Sequence, residues 1–268
     1  MKIINNPKRE KIIDLVNKYV TNGGRVLEIS CGEGNILARL KENGYLVRGT
    51  NYSAYANTAP GVDIDFGVNI NKGLPYEDSS FDCVILCDII EHFTDHIAAI
   101  KEVSRVAKTG GYAIILTPNT MKIDSRLHFL LTGFFKLKRA FVGFDVPAHM
   151  AFVFHNNPPH LPVFLYHLYS HYLEYREIEG AKYKIKAFIL WLLFAPFILP
   201  FTYIKTHVLE RNLKRRDASG GMLFKVLTSF QALCAEYWIT VSKKVDPASR
   251  PTEIKTKLPS WVEKSGKE

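Results

Sequence analysis

The stretch VLEISCGEGN, residues 26–35, is an apolar run that breaks into a turn holding two glycines. Val26, Leu27, Glu28 and Ile29 read as a strand, Gly32 and Gly34 allow a tight turn, and NILARLKENG (35–44) reads as the helix that follows, stopped by Gly44. A strand that feeds a glycine turn and then a helix suits an adenine nucleotide cofactor. Alone, it leaves NAD, a flavin and S-adenosylmethionine open.

Outward from that turn, strands and helices alternate. Residues 8–20 carry an apolar stripe at helical spacing (Ile12, Ile13, Leu15, Val16, Tyr19, Val20), which Gly23-Gly24 stop. Strands are expected near 25–30, 45–50, 62–68, 79–87 and 112–117, with helices over 35–43 and 95–107. Gly110-Gly111 are expected to turn the chain ahead of the fifth strand. The continuous apolar run in SSFDCVILC is typical of a strand buried on both faces. The pattern predicts an α/β fold, a doubly wound Rossmann-like sheet with ligands at the carboxyl ends of its strands.

After Pro118-Asn119 the alternation stops. Residues 121–180 are rich in aromatics and histidines, with a helix expected after NNPP and a sixth strand at EYREIEG (174–180). Next come an apolar stretch, a basic helix (VLERNLKRR, 208–216), a break at Gly220-Gly221, another helix, and AEYWITVSKK (235–244) as a closing strand. The division read from this is a cofactor-binding core at 1–119, a substrate-covering region with strand six at 120–180, and an apolar, basic-flanked insert at 181–222. The final helix and closing strand of the core fill 223–246, and a Lys-, Pro-, Ser- and Glu-rich tail, read as disordered, fills 247–268.

A dinucleotide fold calls for G-x-G-x-x-G, whose third glycine lets helix and strand approach closely. Here Leu37 stands in that place, and Glu33 between the glycines would crowd a pyrophosphate. A cofactor without phosphates, bearing a sulfonium and an amino group, meets no such objection. Glu28, an acid inside the first strand, suits such a cation.

VLEISCGEGN resembles the first motif of class I S-adenosylmethionine-dependent methyltransferases. LPYEDSSFDCVILCDIIEHFTDHIAAIKEVSRVAKTGGYAIILTPN (74–119) resembles the downstream signature of the same superfamily, in the same order: Leu-Pro-aromatic, Phe-Asp, Glu-His, a Glu…Arg helix, Gly-Gly and Pro-Asn. The resemblance covers roughly residues 20–120 and implies the seven-stranded Rossmann-like methyltransferase fold with S-adenosyl-L-methionine as cofactor. It also implies that Glu28, Ser30, Gly32 and Gly34 line the methionine end. Asn51 and Asn69 stand where the family usually has acids for the ribose and the adenine. Asn can still accept and donate; Asp63 or Asp65 is the alternative for one of these roles.

For a hydroxyl acceptor, a base near the reacting oxygen is needed. Asp88, Glu91 and His92 follow strand four at the edge where chemistry is expected. His92 is the first candidate base by its ordinary pKa, with Asp88 beside it as a catalytic or hydroxyl-binding carboxylate. Glu91, and His149 and His155 from the aromatic region, are candidate substrate contacts. NNPPH (156–160) is similar to the motif of enzymes that methylate exocyclic amines of bases, but it lies far from strand four, which disfavours that chemistry. His92/His96 and His167/His171 have helical i, i+4 spacing without a clustered third ligand, so no metal site is expected.

The net charge of +9 suggests an anionic partner. Four scattered cysteines read as reduced thiols rather than a disulfide framework, and the N-terminus lacks an apolar signal core. Ala187–Ile204 holds no charge over a length of about 27 Å if helical. Pro196 and Pro200 oppose a straight spanning helix, and lysines and arginines flank both ends. A bent helical pair dipping into the inner leaflet, with basic flanks on anionic headgroups, fits these features. That contact also accounts for the charge without nucleic acid.

The expectation is therefore a methyltransferase at the cytoplasmic face of the cell membrane. With an aromatic insert after Pro-Asn and an apolar stretch near the C-terminus, the layout resembles methyltransferases associated with bacterial surface-polysaccharide assembly, which implies O-methylation of a lipid-linked sugar. A quinone or isoprenoid phenol is the second acceptor. A binding or scaffold protein that kept the fold and lost turnover is the alternative that the two Asn replacements favour. Oligomeric state is not legible.

Overall fold

The computed structural model describes residues 6–54, 58–137, 154–155, 157–209 and 216–249. Its first helix, α1 (Pro7–Tyr19), starts where it must: Asn6 caps it by accepting from the Lys8 N–H, and Pro7 sits at a first-turn position where its missing N–H costs nothing. Then follow β1 (Arg25–Ile29), α2 (Asn35–Glu42), β2 (Leu46–Asn51), β3 (Ile64–Phe66), β4 (Phe81–Cys87), α3 (His96–Val106) and β5 (Ala107–Pro118). The second half adds α4 (Ile123–Thr132), α5 (Leu161–Ser170), β6 (Leu173–Tyr183), α6 (Ile185–Tyr203), α7 (Arg216–Thr228), α8 (Phe230–Cys234) and β7 (Ala235–Lys244).

The strands form one seven-stranded sheet in the order β3-β2-β1-β4-β5-β7-β6. β1 to β5 are parallel; β7 runs antiparallel to both β5 and β6. Strand order therefore reverses between β1 and β4, the switch point at which such sheets leave a crevice. Side chains alternate across the sheet. Val26, Cys83, Ile85, Ile114 and Ile239 pack under α1 and α2 with Ile12, Val16 and Leu40. Leu27, Ile29, Val84, Leu86 and Trp238 pack under α3 and α5 with Ile100, Val103 and Phe164.

The Glu…Arg pair of α3 has a structural duty. Glu102 accepts from the Leu74 N–H at 2.7 Å, and Arg105 donates to the carbonyls of Leu74 and Tyr76 at 3.0 and 2.7 Å and pairs with Asp78. Together they fasten the Leu-Pro-Tyr loop.

Several boundaries differ from expectation. β5 begins at Ala107, but its pairing with β4 jumps from Ala107 to Tyr112, so residues 108–111 bulge out at Gly110 (φ 86°) and regular pairing resumes at Tyr112, after the glycines, where the strand is expected. The register with β4 shifts between Phe81 and Cys83, and the glycines' lack of side chains lets the strand bend there. Helix α4 carries no expectation in sequence: Ile123 is buried, but Phe129, Leu130 and Leu131 are consecutive and exposed, so no helical stripe shows. The bent pair expected at 187–204 is one helix, α6, which carries Pro196 and Pro200 within it and passes into a π-helical segment, Ile204–Leu209. α7 continues through Gly220-Gly221 and so straddles the boundary drawn at 222. Most of the basic helix expected at 208–216 and the tail beyond 249 lie outside the described residues.

Candidate active site at the carboxyl edge of the sheet

The turn after β1 is held by the end of β2. Ser30 N–H donates to Thr50 Oγ1 at 3.3 Å, and Cys31 N–H to the Thr50 carbonyl at 3.0 Å. Asn51 takes both polar groups of Gly32: Oδ1 accepts from its N–H at 2.9 Å, and Nδ2 donates to its C=O at 2.8 Å. The loop adopts left-handed backbone at Ser30 (φ 55°), Gly32 (φ 61°) and Gly34 (φ 78°), and Gly34 leads directly into α2. A Cβ at Gly32 would meet nothing within 4 Å, so the space above it is open to a ligand.

The close approach that a third loop glycine would provide comes from the other partner. Gly49 on β2 lies so near α2 that a Cβ there would sit 2.5 Å from Cys31 Sγ and 3.0 Å from Leu37 Cδ1. Leu37 is accommodated because the strand, not the helix, carries the glycine.

Glu28 lies under this turn, buried, and its Oε2 has no hydrogen-bond partner among the described residues. Burial pushes its pKa up to about 8, against a small opposing pull from Arg9. A buried carboxyl without a donor beside an open glycine loop fits a cofactor carrying a sulfonium and an ammonium group. Asn51 is placed differently from the expectation: its amide braces Gly32, so in this arrangement it is not turned to a ribose. Asn69 caps the short turn Ile70–Lys72, accepting from the Asn71 N–H. Asp65 pairs with Arg48 and accepts from the Tyr76 hydroxyl at 2.6 Å, while Asp63 lies 3.8 Å from Arg48. The Arg48 guanidinium bonded to Asp65 holds its carboxyl below the usual range.

After β4, Asp88 also takes left-handed backbone (φ 53°). Its Oδ2 pairs with Lys8 from the first turn of α1, and Lys8 Nζ sits 4.1 Å from the ring centroid of Tyr237 on β7. Burial pulls the Lys8 pKa down, but the Asp88 carboxylate more than offsets this and leaves it raised. α1 is thereby fastened across the switch point. Glu91 is fully buried, with Oε2 accepting from Thr117 Oγ1 at 2.9 Å. Burial drives its pKa up to about 8, with Asp88 adding to the rise.

His92 Nδ1 lies 3.0 Å from the Phe154 carbonyl oxygen, and its ring meets that of His155 edge-on at 5.0 Å. His155 Nε2 stands 3.8 Å from Glu91 Oε1. The tertiary fold thus joins Glu91, His92 and His155. His149 lies outside the described residues.

The agent of this convergence is Asn157, which sequence reading passed over as part of a decoy motif. Its N–H donates to the Glu91 carbonyl at 3.1 Å, and its Nδ2 to the carbonyls of Phe93 and Thr94 at 3.0 and 3.3 Å. Arg126 was also missed. It is largely buried in α4, donates to the Met121 carbonyl at 2.6 Å, and has Nη2 without a hydrogen-bond partner among the described residues. An open cleft of about 620 Å³, lined by Arg25, Leu46, Arg48, Asp65, Tyr76 and others, lies at the opposite ends of β1, β2 and β4, away from this chemistry.

Residues 6–157 match the family described as "Methyltransferase domain". A ubiquinone/menaquinone biosynthesis C-methyltransferase of Stenotrophomonas maltophilia is 32% identical over 117 residues, covering 39% of this chain and 46% of that protein. A demethylmenaquinone methyltransferase of Corynebacterium kroppenstedtii is 32% identical over 92 residues, covering 33% and 39%. The chain thus spans less than half the length of these curated relatives. Among solved structures, the 1,6-didemethyltoxoflavin-N1-methyltransferase of Burkholderia thailandensis, with bound 1,6-didemethyltoxoflavin and S-adenosylhomocysteine, aligns with a TM-score of 0.52. Its identity is 10%, over 90% of this chain and 80% of that one. The [4+2]-cyclase SpnF aligns with a TM-score of 0.51 at 18% identity, over 88% and 81%. At these identities the likeness is one of fold.

Proposed function

The chain belongs to the methyltransferase domain family, whose cofactor is S-adenosylmethionine, and from that premise we propose that it methylates a hydroxyl of a lipid-linked acceptor at the cytoplasmic membrane face. The acceptor favoured is a sugar on a lipid carrier, as in surface-polysaccharide assembly. When bound, S-adenosylmethionine supplies a methyl activated by its sulfonium, so the chain has chiefly to align donor and acceptor. The loop Ser30–Gly34 and Glu28 are the residues that would hold its methionine end. The acceptor's proton leaves toward the cluster after β4, with His92, whose Nδ1 is turned to the Phe154 carbonyl, as the base.

The observation that carries the membrane part is α6. Among the described residues it belongs to the one helix long and apolar enough to cross a membrane, Ile185–His207, yet 11% of its apolar window is buried. Leu193 and Phe197 are 61% and 63% exposed. A soluble protein rarely leaves so large an apolar surface to water. Leu130, Leu131 and Phe134, at the end of α4 and just after it, are exposed as well, and α4 packs against α6. β6 enters α6 and β7 follows α8, and these strands pair, so the chain returns to its own sheet. That favours a helix lying in one leaflet over one that crosses. Lys182, Lys184 and Lys186 at its start suit anionic headgroups. The unpaired Nη2 of Arg126 suits a phosphate on the acceptor.

The test is transfer of labelled methyl from S-adenosylmethionine to lipid extracts in anionic vesicles, with products split by mild acid into carrier lipid and saccharide. Label in the saccharide supports the reading; label only in water-soluble acceptors, with no vesicle binding, overturns it. The names of the curated relatives favour a second reading, a quinone or isoprenoid phenol, for which the label stays in an acid-stable ring. Binding of the cofactor without transfer to any acceptor would favour a scaffold.

A further inference from the structure

We propose that Glu91, His92 and His155 form a binding site for one divalent transition-metal ion of the zinc or manganese kind. The chelating atoms of the three side chains all lie within 4.8 Å of one another. Two donors that share an ion at about 2.1 Å each can stand no more than about 4.2 Å apart. The 3.8 Å between Glu91 Oε1 and His155 Nε2 already meets that limit, and the widest gap closes with a side-chain shift on the order of 1 Å.

Each ligand is oriented from behind as metal ligands are. The Phe154 carbonyl can only accept, so the His92 proton sits on Nδ1 and Nε2 presents its lone pair. Thr117 holds Glu91 Oε2 and leaves Oε1, which is wholly buried and has no hydrogen-bond partner among the described residues. A buried carboxylate is costly unless paired or bound to a metal. Asn157, two positions after His155, bonds to the carbonyls of Glu91, Phe93 and Thr94 in and after the turn bearing Glu91 and His92.

Two imidazoles and one carboxylate suit Zn²⁺, Mn²⁺, Fe²⁺ or Co²⁺ better than Mg²⁺, which prefers oxygen donors throughout. Three protein ligands leave positions for oxygens. On the methyl-transfer reading, adjacent hydroxyls of the acceptor would fill them, which selects a vicinal diol. His92 is then a ligand rather than the base, and the acceptor's proton passes to solvent as the ion lowers its pKa. This last step rests on that reading; the binding of the ion does not. The spacings noted in sequence contribute nothing here: the His96 ring packs edge-on against Phe164, and His171 Nδ1 is turned to Ser170 and the His167 carbonyl.

The test uses the full chain, stripped with chelator and dialysed, then titrated with Co²⁺ in the visible region and back-titrated with Zn²⁺. One equivalent of Co²⁺ with d–d bands, displaced by Zn²⁺ at micromolar affinity, is expected. His155→Ala should weaken binding 10- to 100-fold, Glu91→Gln by at least as much, and His171→Ala not at all, with circular dichroism confirming that each variant folds. Because Glu91 is wholly buried, His155→Ala is the decisive variant. Folded wild-type protein that takes up no stoichiometric ion, or binding that survives His155→Ala, overturns the site. An ion bound without any methyl transfer leaves the site standing and removes the functional reading; transfer that persists in chelator with no retained ion leaves that reading standing and removes the ion's part in it, while the titration alone decides the site.

Discussion

The side-chain amide of Asn51 grips both polar groups of a single residue, Gly32, accepting from its N–H at 2.9 Å and donating to its C=O at 2.8 Å. Asn is the side chain that can do both at once; an ionised Asp can only accept. Asn51→Asp should therefore set a carboxylate against the Gly32 carbonyl and destabilise the fold by about 1–3 kcal/mol. Urea unfolding measures the loss, and calorimetry should show no gain in S-adenosylmethionine affinity. Tighter binding by the Asp variant would mean that residue 51 turns to the ribose after all.

Glu28 makes stability depend on pH with an unusual sign. Its pKa is raised from the ordinary 4.5 to about 8, so between those values the folded chain holds a proton that the unfolded chain has lost. Stability should then fall as pH rises from about 5 to 8, by up to about 1.4 kcal/mol per pH unit for each such group, and level off above. Glu91, also raised to about 8, adds a second proton to the slope. Glu28→Gln should remove about half of it in urea midpoints taken across that range.

The same carboxyl should report the cofactor. A cation bound beside Glu28 favours its ionised form, so S-adenosylmethionine binding at pH 7 should release up to about one proton. Calorimetry in buffers of different ionisation enthalpy reads that release, and Glu28→Gln should abolish it along with most of the affinity.

Lys8 ties α1 to the end of β4 through Asp88 and stacks on Tyr237. Lys8→Met should leave Asp88 unpaired and loosen the helix over the site at a modest cost of about 1 kcal/mol, since the pair is part exposed. The clearer effect should be a several-fold rise in KM for the cofactor with kcat nearly unchanged, measured by steady-state kinetics.

On α6, Leu193→Glu with Phe197→Glu should spare the core, because both side chains point outward. Each buried apolar side chain is worth about 1.5–3 kcal/mol on leaving water. The double variant should then lose at least 100-fold in partition onto anionic vesicles by co-sedimentation, while its thermal midpoint stays within a few degrees.

How far the chain could be read in advance depended on how local each signal was. The apolar runs of β1 and β4 and the glycines at 32 and 34 are local, and they led directly to the sheet and to the left-handed turn after β1. Gly49 escaped notice because its use depends on Leu37, twelve positions earlier in chain order and on another element. Gly220-Gly221 misled, because glycine permits a break without requiring one and the surrounding helix decides. Prolines 196 and 200 likewise marked a break that α6 does not make.

By itself the sequence determined the class of the fold, the alternation of strands and helices up to β5, and the glycine turn after β1. All of these follow from side-chain periodicity and backbone freedom over a few consecutive positions. Only the tertiary structure decided that Asn51 braces the loop, that Lys8 closes on Asp88, that α6 keeps its apolar surface outward, and that His155 meets Glu91. Three of those are contacts between residues distant in the chain and the fourth is a contact that α6 does not make; all are selected by packing and by the need to satisfy buried polar groups, neither of which a single segment can express.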